Sequence, residues 1–426
     1  MTERRVAAIP LAMSKTPTTG VALRKAWRAL VPPSLRKYGQ GAAIALAQRR
    51  VDAVLAKGEP APSPGPLVVS GFIGGTKGVS RAARLTLEGL RAAGFSPTAH
   101  DLTALFAAGD GAEAHLPADR PGGVWVLHVN APEAIAAMSR VNERDWQGRY
   151  RIGYWAYELP KIPAQWARAA RAFHEIWAPS RFVAEAIAAS GVTTPVRVMP
   201  HPVMLGPPPF AHDPMSSDFT VLAMGDLKSS ATRKNLVGAI EIYKRAFPDA
   251  SSSARLILKV QSDDAHPEFL EAALTSTSGR GDILFRTGSV NDTEIGQLIA
   301  ASSVLLSPHR SEGFGLSLAE AFLAGVPALA TGWSGNMDFM SDVPELLIAH
   351  TLVPVRDPSG IYRTPGQKWA EPDIDDAVAK LRALAASPLL RREVAARGRA
   401  AVQAHMQPWS RAALDQMPLG RLVDPA

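Results

Sequence analysis

The 426 residues contain no cysteine, which removes disulfide frameworks, thiolate nucleophiles and cysteine metal sites from consideration. Long apolar runs are missing too. Arg, Lys, Asp or Glu interrupts every stretch before it reaches the ~18 residues that a spanning helix needs, so the chain is not expected to cross a bilayer. At its start Arg4 and Arg5 precede an apolar run from Val6 to Met13. Pro10 interrupts that run and no small-residue cleavage site follows, so a secretory signal is not expected and a cytoplasmic location is. Net positive charge is missing beyond the first 60 residues. The net charge of +7 arises because residues 1–60 carry 11 Lys and Arg against 3 Asp and Glu, leaving 35 against 36 after Pro60. A basic arm on a neutral body is a candidate for peripheral contact with anionic lipid, if a stretch such as Ala22 to Arg50 is helical with basic and apolar faces. The alternative is a solvated helix packed on the body. Nucleic acid is not an expected partner, because Trp27 and Tyr38 are the arm's only aromatics and make no stacking platform.

What is present is a chain too long for one hydrophobic core, with 46% hydrophobic residues, as two ordinary soluble domains would have. After a Pro/Gly-rich stretch from Gly58 to Pro66, short apolar runs alternate with longer amphipathic ones, the mark of βα units and a parallel sheet. Strands are predicted at Pro66–Ser70, Val124–His128, Arg151–Trp155, Glu175–Ala178 and Val196–Met199, with helices at Val79–Ala93, Pro132–Val141 and Arg181–Ser190. Pro202 to Ser217, with three consecutive prolines from Pro207, reads as a linker. A second series follows, with strands Phe219–Ala223, Ala254–Val260, Ile283–Arg286, Val304–Ser307 and Pro327–Ala330. Its helices are Leu236–Ala246, Glu268–Thr275, Asp292–Ala301 and Ser317–Ala324. The expected divisions are a basic extension (1–60), a first Rossmann-like domain (61–203), a second (204–390) and a helical tail (391–426). Two doubly wound α/β domains in tandem place a ligand cleft between the carboxyl ends of their strands.

The segment Ser311-Glu-Gly-Phe-Gly-Leu-Ser-Leu-Ala-Glu320 runs from a strand into a helix. Gly313 and Gly315 let the backbone approach a ligand, and the amides of Phe314, Gly315 and Leu316 lie at a helix start, where phosphate is favoured. Glu312 and Glu320 can each accept hydrogen bonds from hydroxyls, which a nucleotide sugar offers at both its ribose and its hexose. For Glu320 a structural explanation competes: Ser317-Leu-Ala-Glu320 has the form of a capping box.

Glu312 and Glu320, with Gly313, Phe314, Gly315 and Ala321, resemble the Glu-x7-Glu motif of family 4 retaining glycosyltransferases, which have the GT-B fold. Further segments occur in the same order as in bacterial members acting on surface polysaccharides. They are Tyr154-Trp-Ala-Tyr-Glu-Leu159, Ile176-Trp-Ala-Pro-Ser-Arg-Phe182, Met199-Pro-His-Pro202, Arg233-Lys-Asn235 and Thr331-Gly-Trp-Ser-Gly-Asn-Met-Asp338. The resemblance implies transfer of a hexose from a UDP- or GDP-sugar to a hydroxyl of a glycan or lipid-linked acceptor, with retention and without a metal or other cofactor. It makes 61–203 the acceptor-side domain and 204–390 the donor domain. Lys234 would place its ammonium on the donor diphosphate, and Glu312 would hold the sugar. The Arg that commonly follows a Gly at the preceding strand end is absent, since Gly225 is followed by Asp226; Arg233, or else Lys228, is the expected substitute. Gly74, Gly75 and Gly78 resemble the glycine-rich loop over the donor phosphates, and His128 is expected near the transferred sugar. Asn130 and Glu158 are candidates for the acceptor side.

Two other readings use the same cleft, a nucleotide-sugar binding protein without turnover, which Asp226 favours, and a nucleotide-sugar epimerase. Asp373-Ile-Asp375 is the one Asp-x-Asp tripeptide and is predicted to cap a helix after Pro372, while Asp263-Asp264 reads as a solvated turn. Gly288 to Val290 is a candidate for backbone contacts to the base.

Overall fold

The computed structural model describes residues 33–107, 114–203, 218–250, 253–261, 267–362 and 364–424. Most of the expected linker, residues 1–32 of the basic extension, and Asp263-Asp264 lie outside the described residues.

The apolar runs build two parallel six-stranded sheets. The first contains β1 (Leu67–Gly71), β2 (Thr98–Asp101), β3 (Val124–Leu127), β4 (Tyr150–Tyr154), β5 (Glu175–Ala178) and β6 (Val196–Val198), in the order β2-β1-β3-β4-β5-β6. The second contains β7 (Phe219–Asp226), β8 (Ala254–Gln261), β9 (Ile283–Arg286), β10 (Val304–Ser307), β11 (Ala328–Thr331) and β12 (Leu347–Ile348), ordered β12-β11-β10-β7-β8-β9. β1, β3 and β5 are buried along their whole length, as strands covered by helices on both faces must be. The strand order reverses between β1 and β3 and between β7 and β10, and at such points loops diverge to leave a crevice.

Some elements were not expected. β2 pairs with β1 from Val68↔Thr98 to Gly71↔Asp101, and an antiparallel hairpin, β13 (His350–Pro354) with β14 (Lys368–Pro372), follows the second sheet. The hairpin leans on the first domain: Trp369 and Tyr362 belong to that domain's core cluster, and Gln367 exchanges two hydrogen bonds with the Lys161 backbone at 2.9 and 2.7 Å.

The expected tail divides in two. Helix Pro388–His405 packs into the second domain through Val394 and Val402. After the turn Gln407–Trp409 the chain returns to the first domain, where Trp409, Leu414, Met417 and Leu419 share a core with Leu67, Val69 and Trp177. Trp409 Nε1 donates to Pro200 O at 2.5 Å. At the other end of the chain, helix Pro33–Leu55 lies on the body with Ala47 and Val51 buried. No described helix is long and apolar enough to cross a membrane.

Candidate active site

The two switch points face each other across a cavity of about 360 Å³. On the second domain β7 ends at Asp226, whose Oδ1 accepts from the Lys228 amide at 3.0 Å and starts a tight turn. The next turn, Ala231–Lys234, is held between two non-glycine residues at positive φ, Ser230 (74°) and Asn235 (53°). Such conformations cost of order 1–3 kcal/mol each and persist where side chains over-determine them. Here they do. Ser230 Oγ donates to Asp357 Oδ1 at 2.9 Å and accepts from the Arg233 amide at 3.2 Å. Asn235 accepts from the Gly238 amide at 3.2 Å and donates to Pro308 O at 2.8 Å.

That frame delivers Lys234, whose Nζ donates to Glu312 Oε1 at 2.5 Å, while Arg233 Nη1 stands 3.2 Å from the same oxygen. Burial alone would raise the Glu312 carboxyl, but Lys234, Arg233 and His309 outweigh it and hold it at about 2. Glu312 is fixed through its backbone as well: its amide donates to Ser334 Oγ at 2.8 Å, and its carbonyl accepts from the Gly335 amide at 2.9 Å. Arg233 lines the cavity, yet its side chain is only 3% exposed and its guanidinium donates to Ser311 O at 2.7 Å and Ser229 O at 3.2 Å. Most of its donors are therefore engaged within the protein. Lys228 does not line the cavity.

Helix Leu316–Leu323 begins at Gly315, whose φ of 92° favours glycine. The expected capping box is absent: the helix starts one residue before Ser317, so Glu320 lies a turn inside it and cannot reach back. Its carboxylate, 2% exposed, instead accepts from Arg81 Nε of the first domain at 2.6 Å. Burial pushes the Glu320 carboxyl up to about 7, with Arg81 opposing.

On the first domain the loop after β1 turns at Gly75, whose amide donates to Phe72 O at 3.1 Å, while the Gly74 amide donates to Asp101 Oδ2 at 3.1 Å. A side chain at Gly75 would run into Ser80. Both glycines thus shape the turn, and the residues that reach the cavity are the next ones, Thr76 to Val79 and Arg81. His128 lines the cavity with its Nδ1 2.9 Å from Thr86 Oγ1 and its ring 4.1 Å from that of Tyr154. Burial, with His201 adding to it, holds its pKa well below the usual value, so the ring is neutral. Asn130 accepts from the Ala156 amide at 2.9 Å and so positions the loop leading to Glu158. Glu158 Oε2 accepts from Tyr362 of the hairpin at 2.8 Å, with Arg233 3.8 Å from Oε1. Val290 lines the cavity beside Lys259 and Gln261, and Gln261 Nε2 donates to Thr76 O at 3.2 Å across the cleft.

The structure thus brings Lys234, Arg233, Glu312, Gly313, Phe314, Gly315, Leu316, Glu320, His128, Asn130 and Glu158 to one cavity, and leaves Gly74 and Gly75 behind it. Arg81, Tyr362 and His201 had no expected role. His201, whose buried ring is 5.1 Å from that of Phe314, belongs to the segment Met199-Pro-His-Pro202; Arg81 and Tyr362 carry no local signal. The tripeptide at Asp373 behaves as expected, Asp373 accepting from the Asp376 amide at 3.0 Å to cap helix Ile374–Ala386.

The pattern of a family described as "Family 4 Glycosyltransferase in conflict systems" matches residues 180–415, more than half of the chain. None of the curated protein sequences matches it significantly. Among solved structures it is similar to sucrose-phosphate synthase from Thermosynechococcus elongatus, at TM-score 0.57 and 14% identity over 81% of this chain and 95% of that one. Trehalose-6-phosphate synthase OtsA gives TM-score 0.57 and 11% identity over 83% and 99%. TarM of S. aureus, solved with fondaparinux, α-GlcNAc-glycerol and UDP, gives TM-score 0.50 and 11% identity over 67% and 54%, so this chain spans about half the length of TarM. These likenesses are of fold, and the fold is GT-B.

Proposed function

The chain belongs to the family 4 glycosyltransferases of conflict systems, and from that premise we propose that it transfers a hexose from a UDP- or GDP-sugar to an acceptor hydroxyl with retention of configuration. The observation that carries this reading is the Lys234–Glu312 pair at 2.5 Å, set beside the start of helix Leu316–Leu323. Lys234 neutralises charge as the diphosphate leaves, and the first amides of that helix add donors and a favourable dipole end. Glu312, ionised at neutral pH and held by two cations, accepts hydroxyls of the transferred hexose and does not attack it. In this mechanism the leaving diphosphate takes the proton of the incoming hydroxyl on the same face, so neither a nucleophilic carboxylate nor a metal is needed. Neutral His128 supplies a hydrogen bond to the sugar, and Glu158 with Asn130 shapes the acceptor side.

The acceptor that suits the reading is a glycan or a lipid-linked glycan, as in surface polysaccharide synthesis. The positive charge before Pro60 supports peripheral contact with the anionic cytoplasmic membrane face, where a lipid-linked acceptor would lie. Sedimentation with anionic against neutral vesicles tests that part: equal partitioning speaks against it.

Incubation with UDP- and GDP-sugars should release nucleoside diphosphate slowly, and Lys234→Ala should cut that release by ~10²-fold or more, the scale of losing a transition-state charge partner. Donor binding without release would make the chain a binding protein, and interconversion of UDP-sugars without acceptor an epimerase. The carboxylate of Asp226, which favours a binding protein by placing negative charge at the phosphate end, has a structural occupation in the Lys228 turn.

A further inference from the structure

Glu320 and Arg81 come from different domains, 239 residues apart in sequence, yet they form one of the most enclosed ion pairs of the cleft: 2.6 Å, with side chains 2% and 8% exposed. Arg81 uses Nε on Glu320 Oε1 and Nη1 on Asp292, 3.1 Å from Oδ1 and 3.3 Å from the carbonyl. Asp292 is also held by Arg84, whose Nη2 lies 2.8 Å from Oδ2. Arg84 in turn donates from Nη1 to Ile73 O and Gly75 O at 2.7 Å each. One arginine therefore ties the glycine loop to the second domain, and the other engages the carboxylate that lines the cavity. Among the described residues no protein group bonds to Glu320 Oε2.

We propose that Arg81 is a positioning residue of the nucleotide site: it reaches across the cleft to fix the Glu320 carboxylate, leaving Oε2 to accept the donor's ribose hydroxyls, so that nucleotide affinity depends on contact between the domains. This rests on the donor reading above: with Glu312 on the hexose, the second carboxylate of that segment, Glu320, lines the same cavity and is left to the donor's other set of hydroxyls, those of the ribose. A carboxylate removed from water to this degree ionises reluctantly, and with Oε1 accepting from Arg81 a proton would sit on Oε2 and turn it from acceptor to donor, so the charged form is the one that accepts ribose hydroxyls there. The groups facing Glu320 are Arg81 from helix Gly78–Ala92, which favours ionisation, and Asp292 from helix Asp292–Ala300, which opposes it. Without Arg81 the balance is one of burial and Asp292 together, and the carboxyl stays protonated to higher pH. Asp292 itself keeps Arg84 in that case, which separates closure from the state of Glu320.

The test is binding of UDP and GDP to the full chain, by calorimetry, from about pH 6 to about pH 9. For the wild type, affinity should rise with pH through about 7, where Glu320 titrates. Arg81→Ala should weaken binding roughly tenfold or more near neutral pH and recover part of the loss at the alkaline end. Arg81→Lys, which keeps a cation, should restore most of the affinity and guards against a variant that misfolds. Glu320→Gln should bind weakly with no such pH dependence, and adding Arg81→Ala to it should change little. Arg84→Ala should leave the pH profile where it is. A loss in Arg81→Ala that is equal at all pH values, or that multiplies with the loss in Glu320→Gln, overturns the proposal, as does unchanged binding in Arg81→Ala, while leaving the donor site standing. A wild type that binds neither nucleotide removes the donor reading itself, and the proposal with it.

Discussion

That Lys234 and Glu312 line one cavity was legible in the sequence because each sits in a short string whose neighbours carry the same chemistry. Arg81 was not, since nothing near it in the chain announces a partner 239 residues away. Glu320 was misread in its structural half: the helix that would make it a cap begins one residue early, at a glycine already at φ 92°. The two acids pull stability in opposite directions with pH. Glu312 falls from 4.5 to about 2 on folding, so its contribution is complete above about 4.5 and is lost as pH drops toward 2. Glu320 rises from 4.5 to about 7, so the fold favours its protonated form and the associated stability declines as pH climbs from about 4.5 through 7. Urea midpoints across this range should therefore show a steeper acid limb in the wild type than in Glu312→Gln, and a flatter neutral limb in Glu320→Gln.

At the level of elements, runs with clear periodicity were read well, helix Leu236–Ala246 to its ends. What escaped has a physical cause. β2 is an edge strand, Thr-Ala-His-Asp, three of whose four residues are exposed, so it has no apolar run to betray it. The β13–β14 hairpin is short and packs its aromatic residues, Tyr362 and Trp369, against the other domain's core. Tight helix packing makes one position testable: a methyl group at Gly398 would collide with the ring of Phe322, joining helix Pro388–His405 to Leu316–Leu323. Gly398→Ala should cost about 1–3 kcal/mol of stability as overpacking, read from denaturant melts, and should weaken nucleotide binding because the strained helix is the one that starts at Gly315. Unaltered stability would mean that the two helices separate more easily than their fit implies.

In the whole molecule the two domains meet at both ends of the cleft and in its middle. Arg81 and Arg84 clasp Glu320 and Asp292 at one end, and Tyr362 and Gln367 grip Glu158 and Lys161 at the other. Between them Ser180 Oγ donates to Gly313 O at 2.6 Å. The polypeptide itself crosses between them twice, the second time after His405 to complete the first domain's core with Trp409 and its neighbours. Trp409→Ala should destabilise the first domain by about 3–5 kcal/mol, as loss of a large buried side chain does, and the loss should appear in thermal unfolding followed by tryptophan fluorescence. The return has a consequence for synthesis. On a ribosome, where domains are generally completed in order from the amino end, this first domain has to wait: Leu67, Val69 and Trp177 lack their last covering until the residues after Gln407 emerge. Between the end of β6 at Val198 and the turn Gln407–Trp409 about half of the chain is made, and over that interval the nascent protein carries an unfinished apolar face.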